Sequence, residues 1–254
     1  MSVKGKVLVA AATLTLVGGS GVAALATAGA ANAATPSCGD SCIDIFSHQF
    51  GTFANPQFVM DSFKQGDVAG TPVILFRTSN SDPAEDFVID DEGLTSEFYA
   101  LGLVSPDVAL HFGCTKAVEG RCDTFAGQGN YEAYEFMYAP YGVQTGLCTG
   151  VAATAVNGEH VTLQPCGVSS KTLWIAVTWV HRHDSIANPL TGFADPLVNG
   201  SDTNFSSPYA LSYGGSSYPT DTPRPPLYTS TLLGFSNGAF NTNQLWSAVG
   251  GVLP

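Results

Sequence analysis

The chain has 254 residues, of which 21 are Asp or Glu and 9 are Lys or Arg, giving a formal net charge of −12. So acidic a chain is unsuited to the phosphate backbone of nucleic acid or to an anionic membrane surface, both of which need clustered basic side chains. Its 28 Gly and 15 Pro are spread along the whole length, and sustained 3.6-residue apolar periodicity is nearly absent, which excludes an all-helical architecture.

In chain order, Lys4 and Lys6 come first, an apolar run extends from Val7 to Val17, and Ala31-Asn32-Ala33 supplies a small-x-small cleavage motif. This pattern predicts a secretory signal peptide over 1–33, cut after Ala33. The apolar core is too short for the roughly 20 residues that span a bilayer. No later segment is long and apolar enough, so no membrane insertion is expected after cleavage. Loss of the two lysines takes the formal charge from −12 to −14. What remains, 34–254, is long enough for one large domain with a substantial core.

All six cysteines (Cys38, Cys42, Cys114, Cys122, Cys148 and Cys166) follow the leader. An even number in an exported chain predicts three disulfides. Sequence leaves the pairing open, but the spacing favours the local pairs Cys38–Cys42, Cys114–Cys122 and Cys148–Cys166. Paired C-x-x-C spacing, the mark of a zinc site, is missing.

Short runs rich in Val, Ile, Phe, Tyr and Thr then follow one another between turn residues. They are Ile43–Phe46, Val73–Phe76, Phe87–Ile89, Val108–Phe112, Tyr134–Tyr138, Val161–Gln164, Leu173–Val180 and Leu227–Thr231. Such punctuation predicts an all-β sandwich or barrel. A short helix is expected over 93–104, weakened by Gly102 and Pro106.

Three places share one layout: a turn, a strand, a polar stretch, then a strand opening on an aromatic residue. These are 70–90, 158–177 and 224–249, with Phe87, Trp174 and Trp246 as the aromatics. Three unequal units, at roughly 43–93, 94–180 and 181–254, predict a pseudo-threefold barrel with loops inserted around 94–130 and 181–225. One such unit cannot bury its own apolar face, whereas three around an axis close a barrel and leave few exposed edges. The three aromatics would then be equivalent core plugs.

These residues resemble the ricin-type β-trefoil lectin domain. That family's unit runs Cys-Leu-Asp-Val, a Gly-containing turn, Val-x-Leu-Trp-x-Cys, then Gln-x-Trp. Gln244-Leu245-Trp246 matches the last element, Thr172-Leu173-Trp174 matches it without the Gln, and Glu85-Asp86-Phe87 is a distant version. In the second unit Cys148 and Cys166 fall where the family joins its second and third strands by a disulfide. In the first, Val59-Met60-Asp61 stands at the Cys-Leu-Asp element and Val73-Ile74-Leu75-Phe76 at Val-x-Leu-Trp. The resemblance implies a single β-trefoil-like domain over 34–254.

A shallow sugar site needs a carboxylate for vicinal hydroxyls, a ring for the apolar C–H face and an amide to complete the network. Carried over from the family, Asp61 would accept the hydroxyls, Phe76 would be the stacking ring, and Asn80 would supply the amide. The second unit has Gly150 and Gln164 at these positions, and the third has Ser212 with no clear ring, so one intact site is expected at most. Asp61 and Phe76 are expected at the surface, with Val73 and Leu75 pointing to the core.

Other constellations carry less. His181-Arg182-His183-Asp184 offers two imidazoles and a carboxylate but no third close ligand. G-x-S-x-G is missing from the mature part, Asp90-Asp91-Glu92 reads as a solvated turn, and 219–226 reads as an extended Pro-rich loop. Asn199-Gly200-Ser201 and Asn204-Phe205-Ser206 match the glycosylation acceptor pattern. The expectation is a secreted, monomeric, non-catalytic protein without cofactor or metal that binds carbohydrate. The alternative is the same fold binding an extracellular protein, as an inhibitor or interaction module.

Overall fold

A computed structural model describes residues 38, 42–52, 54–79, 81–113, 116–118, 121–124, 131–177, 194–214, 226–233 and 240–250. Twelve strands form three repeats of four. The first repeat holds β1 (Asp44–Ser47), β2 (Phe58–Ser62), β3 (Val73–Arg77) and β4 (Phe87–Leu94). An insertion follows, with helices α1 (Thr95–Ala100) and α2 (Pro106–Phe112) and a hairpin of β5 (Lys116–Val118) and β6 (Arg121–Thr124). The second repeat holds β7 (Glu132–Tyr138), β8 (Leu147–Val151), β9 (Val161–Pro165) and β10 (Leu173–Ala176). The third holds β11 (Leu197–Asn199), β12 (Tyr209–Ser212), β13 (Tyr228–Thr231) and β14 (Trp246–Val249).

The first and fourth strands of the repeats make a barrel. Strand β14 pairs with β1, β4 with β7, β7 with β10, and β10 with β11, all antiparallel. Two bridges, Ile43 with Phe87 and Asp195 with Trp246, complete the circuit. The second and third strands form three hairpins, β2–β3, β8–β9 and β12–β13. Main-chain bonds tie these to one another in a ring: Leu163 N donates to Thr71 O (2.8 Å), Val161 N to Leu227 O (2.9 Å) and Leu227 N to Val73 O (2.9 Å). A six-stranded barrel capped by a closed triangle of hairpins is a β-trefoil, and closure satisfies the strand edges that would otherwise seek partners. Gly70 (φ +89°) and Gly158 (φ +87°) supply the left-handed backbone in the turns before β3 and β9.

The registers set the repeats in correspondence. Phe46 opposes Val59, Met137 opposes Cys148, and Val198 opposes Ala210. Counting outward gives core triples: Ile45, Phe136 and Leu197; Val73, Val161 and Leu227; Phe87, Trp174 and Trp246. All nine side chains belong to one buried cluster. The aromatic plugs are therefore equivalent. The Trp174 indole donates to Thr149 O and the Trp246 indole to Leu211 O, each at 3.0 Å, so both buried N–H groups are satisfied from the second strand of their own repeat.

Several expectations need correction. Val108–Phe112, expected as a strand, lies in α2. Ser105 Oγ accepts from Val108 N and Pro106 sits in the first turn, a start signal that outweighs the apolar run. Its buried face, Val108, Ala109 and Phe112, joins a second cluster with Phe98, Ile175, Val198 and Ala210 on the outside of the barrel. The stretch 181–225 is not wholly an insertion, because β11 and β12 fall within it. Asp90-Asp91-Glu92 is not a turn but part of β4, at an irregularity between Ile89 and Asp91. Asn199 is buried and its amide donates to Lys171 O (2.9 Å), so it is not an exposed acceptor for a glycan.

Among the described residues two disulfides are formed, Cys38–Cys42 and Cys148–Cys166, the second linking β8 to the residue after β9. Cys114 and the side chain of Cys122 lie outside the described residues. Among the described residues no helix is long and apolar enough to cross a membrane.

Candidate binding site in the first repeat

Alternation along β3 sends Val73 and Leu75 into the barrel core and leaves Phe76 half-buried on the opposite face. Asp61 faces Ile74 and Val59 faces Phe76, which makes Asp61 and Phe76 diagonal neighbours on that outer face. Asp61 is only 1% exposed, unlike the surface position expected for it. The segment after β3 folds back over this face: the turn Pro83–Glu85 is buried throughout and packs against β2. Asn80 and His181-Arg182-His183-Asp184 lie outside the described residues.

Glu85 comes from this covering turn and is itself 1% exposed. Ser79 N donates to both of its carboxylate oxygens at 3.0 Å and Thr78 Oγ1 donates to Oε2 at 3.2 Å. Asp82, partly exposed, accepts from Ala84 N (3.0 Å) and from the Gln65 amide (3.3 Å). One oxygen each from Asp61, Asp82 and Glu85 lie within 4.8 Å of one another. Asp44, on neighbouring β1, is 1% exposed, and neither of its carboxylate oxygens has a hydrogen bond among the described residues.

Burial in this group disfavours negative charge, and the neighbouring acids add to it. Glu85 is pushed up to about 9 by burial, against the Ser79 N–H, with Asp44, Asp61 and Asp82 contributing in that order. Asp44 is pushed up to about 7 by burial and by Asp86. Tyr138, buried with its hydroxyl unbonded among the described residues, is raised by burial and then by Asp61.

The other repeats show what these positions normally hold. By register, Asp44, Asp61 and Glu85 correspond to Glu135, Gly150 and Thr172 in the second repeat and to Pro196, Ser212 and Gln244 in the third. In the second, the Thr172 hydroxyl and Gly167 N (2.9 Å) donate to Glu135. In the third, Gln244 Oε1 accepts from Leu233 N (2.9 Å) while its amide donates to Ser212 Oγ (3.0 Å) and Thr231 O (3.0 Å). The first repeat alone has three acids there.

The sequence singled out Asp61 and missed Asp44, Asp82 and Glu85. A signal was present in the alignment of Glu85-Asp86-Phe87 with Gln244-Leu245-Trp246, which puts an acid at the glutamine position of a repeat that already carries Asp61. A separate shallow depression is lined by Glu92, Leu94, Glu97 and Glu132, where Leu94 N donates to Glu97 and Tyr134 Oη to Glu132.

No protein-family model matches the sequence, and no curated protein is significantly similar to it. Among solved structures, the designed threefold-symmetric protein ThreeFoil is 13% identical over 83% of this chain and 99% of its own, with a TM-score of 0.47. An exo-β-1,3-galactanase from Clostridium thermocellum is 10% identical over 82% of this chain and 30% of its own, also at 0.47. A mosquitocidal holotoxin is 11% identical over 81% of this chain and 16% of its own, at 0.42. The trefoil fold rests on the strand registers and the closed ring of hairpins.

Proposed function

We propose that the protein is an exported, non-catalytic binding module that takes carbohydrate at the outer face of the first-repeat hairpin. One observation carries this reading: only there do a carboxylate and an aromatic ring, Asp61 and Phe76, stand as diagonal neighbours. The corresponding pairs are Gly150 with Gln164 and Ser212 with Ser230, which offer neither acid nor ring. Phe76 would cover the C–H face of a sugar and Asn80 would supply the amide. Asp82 is the acid of the group most open to solvent, so a sugar hydroxyl meets it first, with Asp61 beneath. Removal of residues 1–33 during export belongs to the same reading.

Glycan-array binding by the mature protein, lost in both Phe76→Ala and Asp61→Asn, is the expected result. Binding that survives both substitutions, or no binding to any glycan by the wild type, overturns it. Affinity at one shallow site should be millimolar, about −4 kcal/mol, since there is no second site to add avidity.

Recognition of an extracellular protein is the second reading. Tyr141 and Val143 are 69% and 65% exposed on the connection between β7 and β8. Tyr141 is held at φ +54°, a left-handed conformation rare for an aromatic residue, and its N–H donates to Asp86 Oδ2 (2.9 Å). An exposed ring fixed in a strained loop suits a protein contact. Partner binding lost in Tyr141→Ser and indifferent to sugar would favour it.

A further inference from the structure

We infer that Asn157-Gly158, at the tip of the β8–β9 hairpin, is a site of spontaneous deamidation to aspartate and isoaspartate, restrained by Thr229 of the third repeat. The reaction needs an asparagine amide open to water, a following residue with no side chain in the way, and a main chain free to bend into a five-membered ring. The described residues hold two Asn-Gly pairs, 157–158 and 199–200, and the fold treats them in opposite ways. Asn237-Gly238 lies outside the described residues.

Asn199 is fully buried and closed on every side. Its amide donates to Lys171 O (2.9 Å), and its Oδ1 accepts from Ser201 N (3.1 Å) and Ser201 Oγ (2.6 Å). Gly200 N donates to Leu173 O (2.9 Å), and a Cβ on Gly200 would stand 2.8 Å from Ser170 O. Neither the side chain nor the nitrogen can move without breaking buried hydrogen bonds. Asn157, by contrast, is exposed, and its side chain has no hydrogen bond among the described residues. A Cβ on Gly158 would meet nothing within 4 Å, so the space beside it is open to ring closure and to water.

The step is an acyl transfer that needs only water. Gly158 N attacks Asn157 Cγ, the Cγ–Nδ2 bond breaks, and ammonia leaves with the Gly158 amide proton. Water then opens the succinimide. Cleavage between Gly158 N and Cγ gives aspartate. Cleavage between Gly158 N and the main-chain carbonyl carbon gives isoaspartate, whose main chain runs through Cγ and is longer by one carbon. Either product adds a negative charge.

Thr229, fully buried on β13, controls the attacking nitrogen. Gly158 N donates to Thr229 O (2.7 Å), Thr229 N to Glu159 O (2.8 Å) and Thr229 Oγ1 to Val156 O (2.6 Å). Glu159 N donates to Val156 O (3.2 Å) and closes the turn. The nitrogen is released only when this clamp opens locally. The longer isoaspartyl main chain no longer matches the spacing of these bonds, so modification loosens the second hairpin from the third, whether or not a sugar binds to the first.

The test incubates the mature protein in mildly alkaline buffer at physiological temperature and follows it by peptide mapping, with enzymatic methylation to mark isoaspartate. Conversion should appear at Asn157 and not at Asn199, whereas both should convert in the same chain held in denaturant. The converted fraction should melt at a lower temperature than the unconverted. Thr229→Val, which removes the hydroxyl and keeps the main-chain bonds, should convert Asn157 severalfold faster while Asn199 stays intact. Thr229→Ser, which keeps the hydroxyl, should match the wild type. Asn157→Ser should fold and show no conversion at this turn. An Asn157 that stays as intact as Asn199 in the folded protein overturns the inference, and so does conversion of both at one rate. Equal rates in wild type and Thr229→Val overturn the role given to Thr229.

Discussion

Gln244 and Glu85 stand at the same point of their repeats, two residues before the aromatic plug, and their surroundings differ in kind. Gln244 accepts from Leu233 N and donates to Ser212 and Thr231, so both ends of its amide are used. Glu85 accepts from Ser79 and Thr78 at one side and meets acids at the other. The third repeat is thus a closed polar network that holds β12 and β13 to the turn before β14. The first repeat keeps the same backbone path but sets carboxylates where the third has an amide and a hydroxyl. Pseudo-symmetry preserves the shape of the repeat, while polar substitution changes how each copy satisfies the same buried position.

The largest effects should come from the shared scaffold. Trp246→Ala should cost about 3–5 kcal/mol from the cavity alone, and it also leaves Leu211 O without its indole donor. Phe87→Ala should cost less than Trp246→Ala, since the first-repeat plug is smaller and makes no such bond. Chemical denaturation of the two variants checks the order, and equal losses would mean that the plugs do not differ as their polar contacts require.

The second repeat alone has a disulfide between its hairpin strands. Replacing Cys148 and Cys166 together by Ala opens a loop of 18 residues and should cost about 3 kcal/mol, with a fall of several degrees in melting temperature. Peptide mapping that paired Cys148 elsewhere would remove the basis for this expectation.

The acid group should make the stability of the protein pH-dependent. Glu85 and Asp44 are raised in the folded state to about 9 and about 7. Between their ordinary values near 4 and these raised values, the folded chain holds protons that the unfolded chain has released. Stability must therefore fall as pH rises through this window. The loss should be concentrated between about pH 5 and pH 8. Glu85→Gln should flatten the slope, and denaturant melts at several pH values measure it. A slope unchanged in that variant would show that the third-repeat solution cannot be transferred.

Gly150 sharpens the same comparison from the second repeat. A Cβ there would lie 2.7 Å from Lys171 O and 3.0 Å from Thr172 Cγ2, so Gly150→Ser, which copies the third repeat, should cost about 1–3 kcal/mol. The smallest change is expected from Phe76→Ala. The ring is half-buried and outside the core cluster, and the loss should be about 1 kcal/mol or less. A loss above about 3 kcal/mol would show that the ring is packed rather than available to a sugar.

The three plugs, the Val-rich third strands and the pairing of Cys148 with Cys166 are legible in the sequence, because strand alternation and turn residues act over a few neighbours. Those same local patterns misplaced Val108–Phe112, where capping by Ser105 and packing on the barrel's outer face outweighed an apolar run. Asp61 and Phe76 could be placed on one hairpin from spacing. The burial of Asp61 could not, since it depends on the turn Pro83–Glu85 folding back across β2. The sequence by itself determined the threefold repeat and the positions at which side chains alternate inward. Only the tertiary structure decided that Asp61, Asp82 and Glu85 converge, because electrostatic and desolvation energies depend on distances between strands that the chain order does not contain.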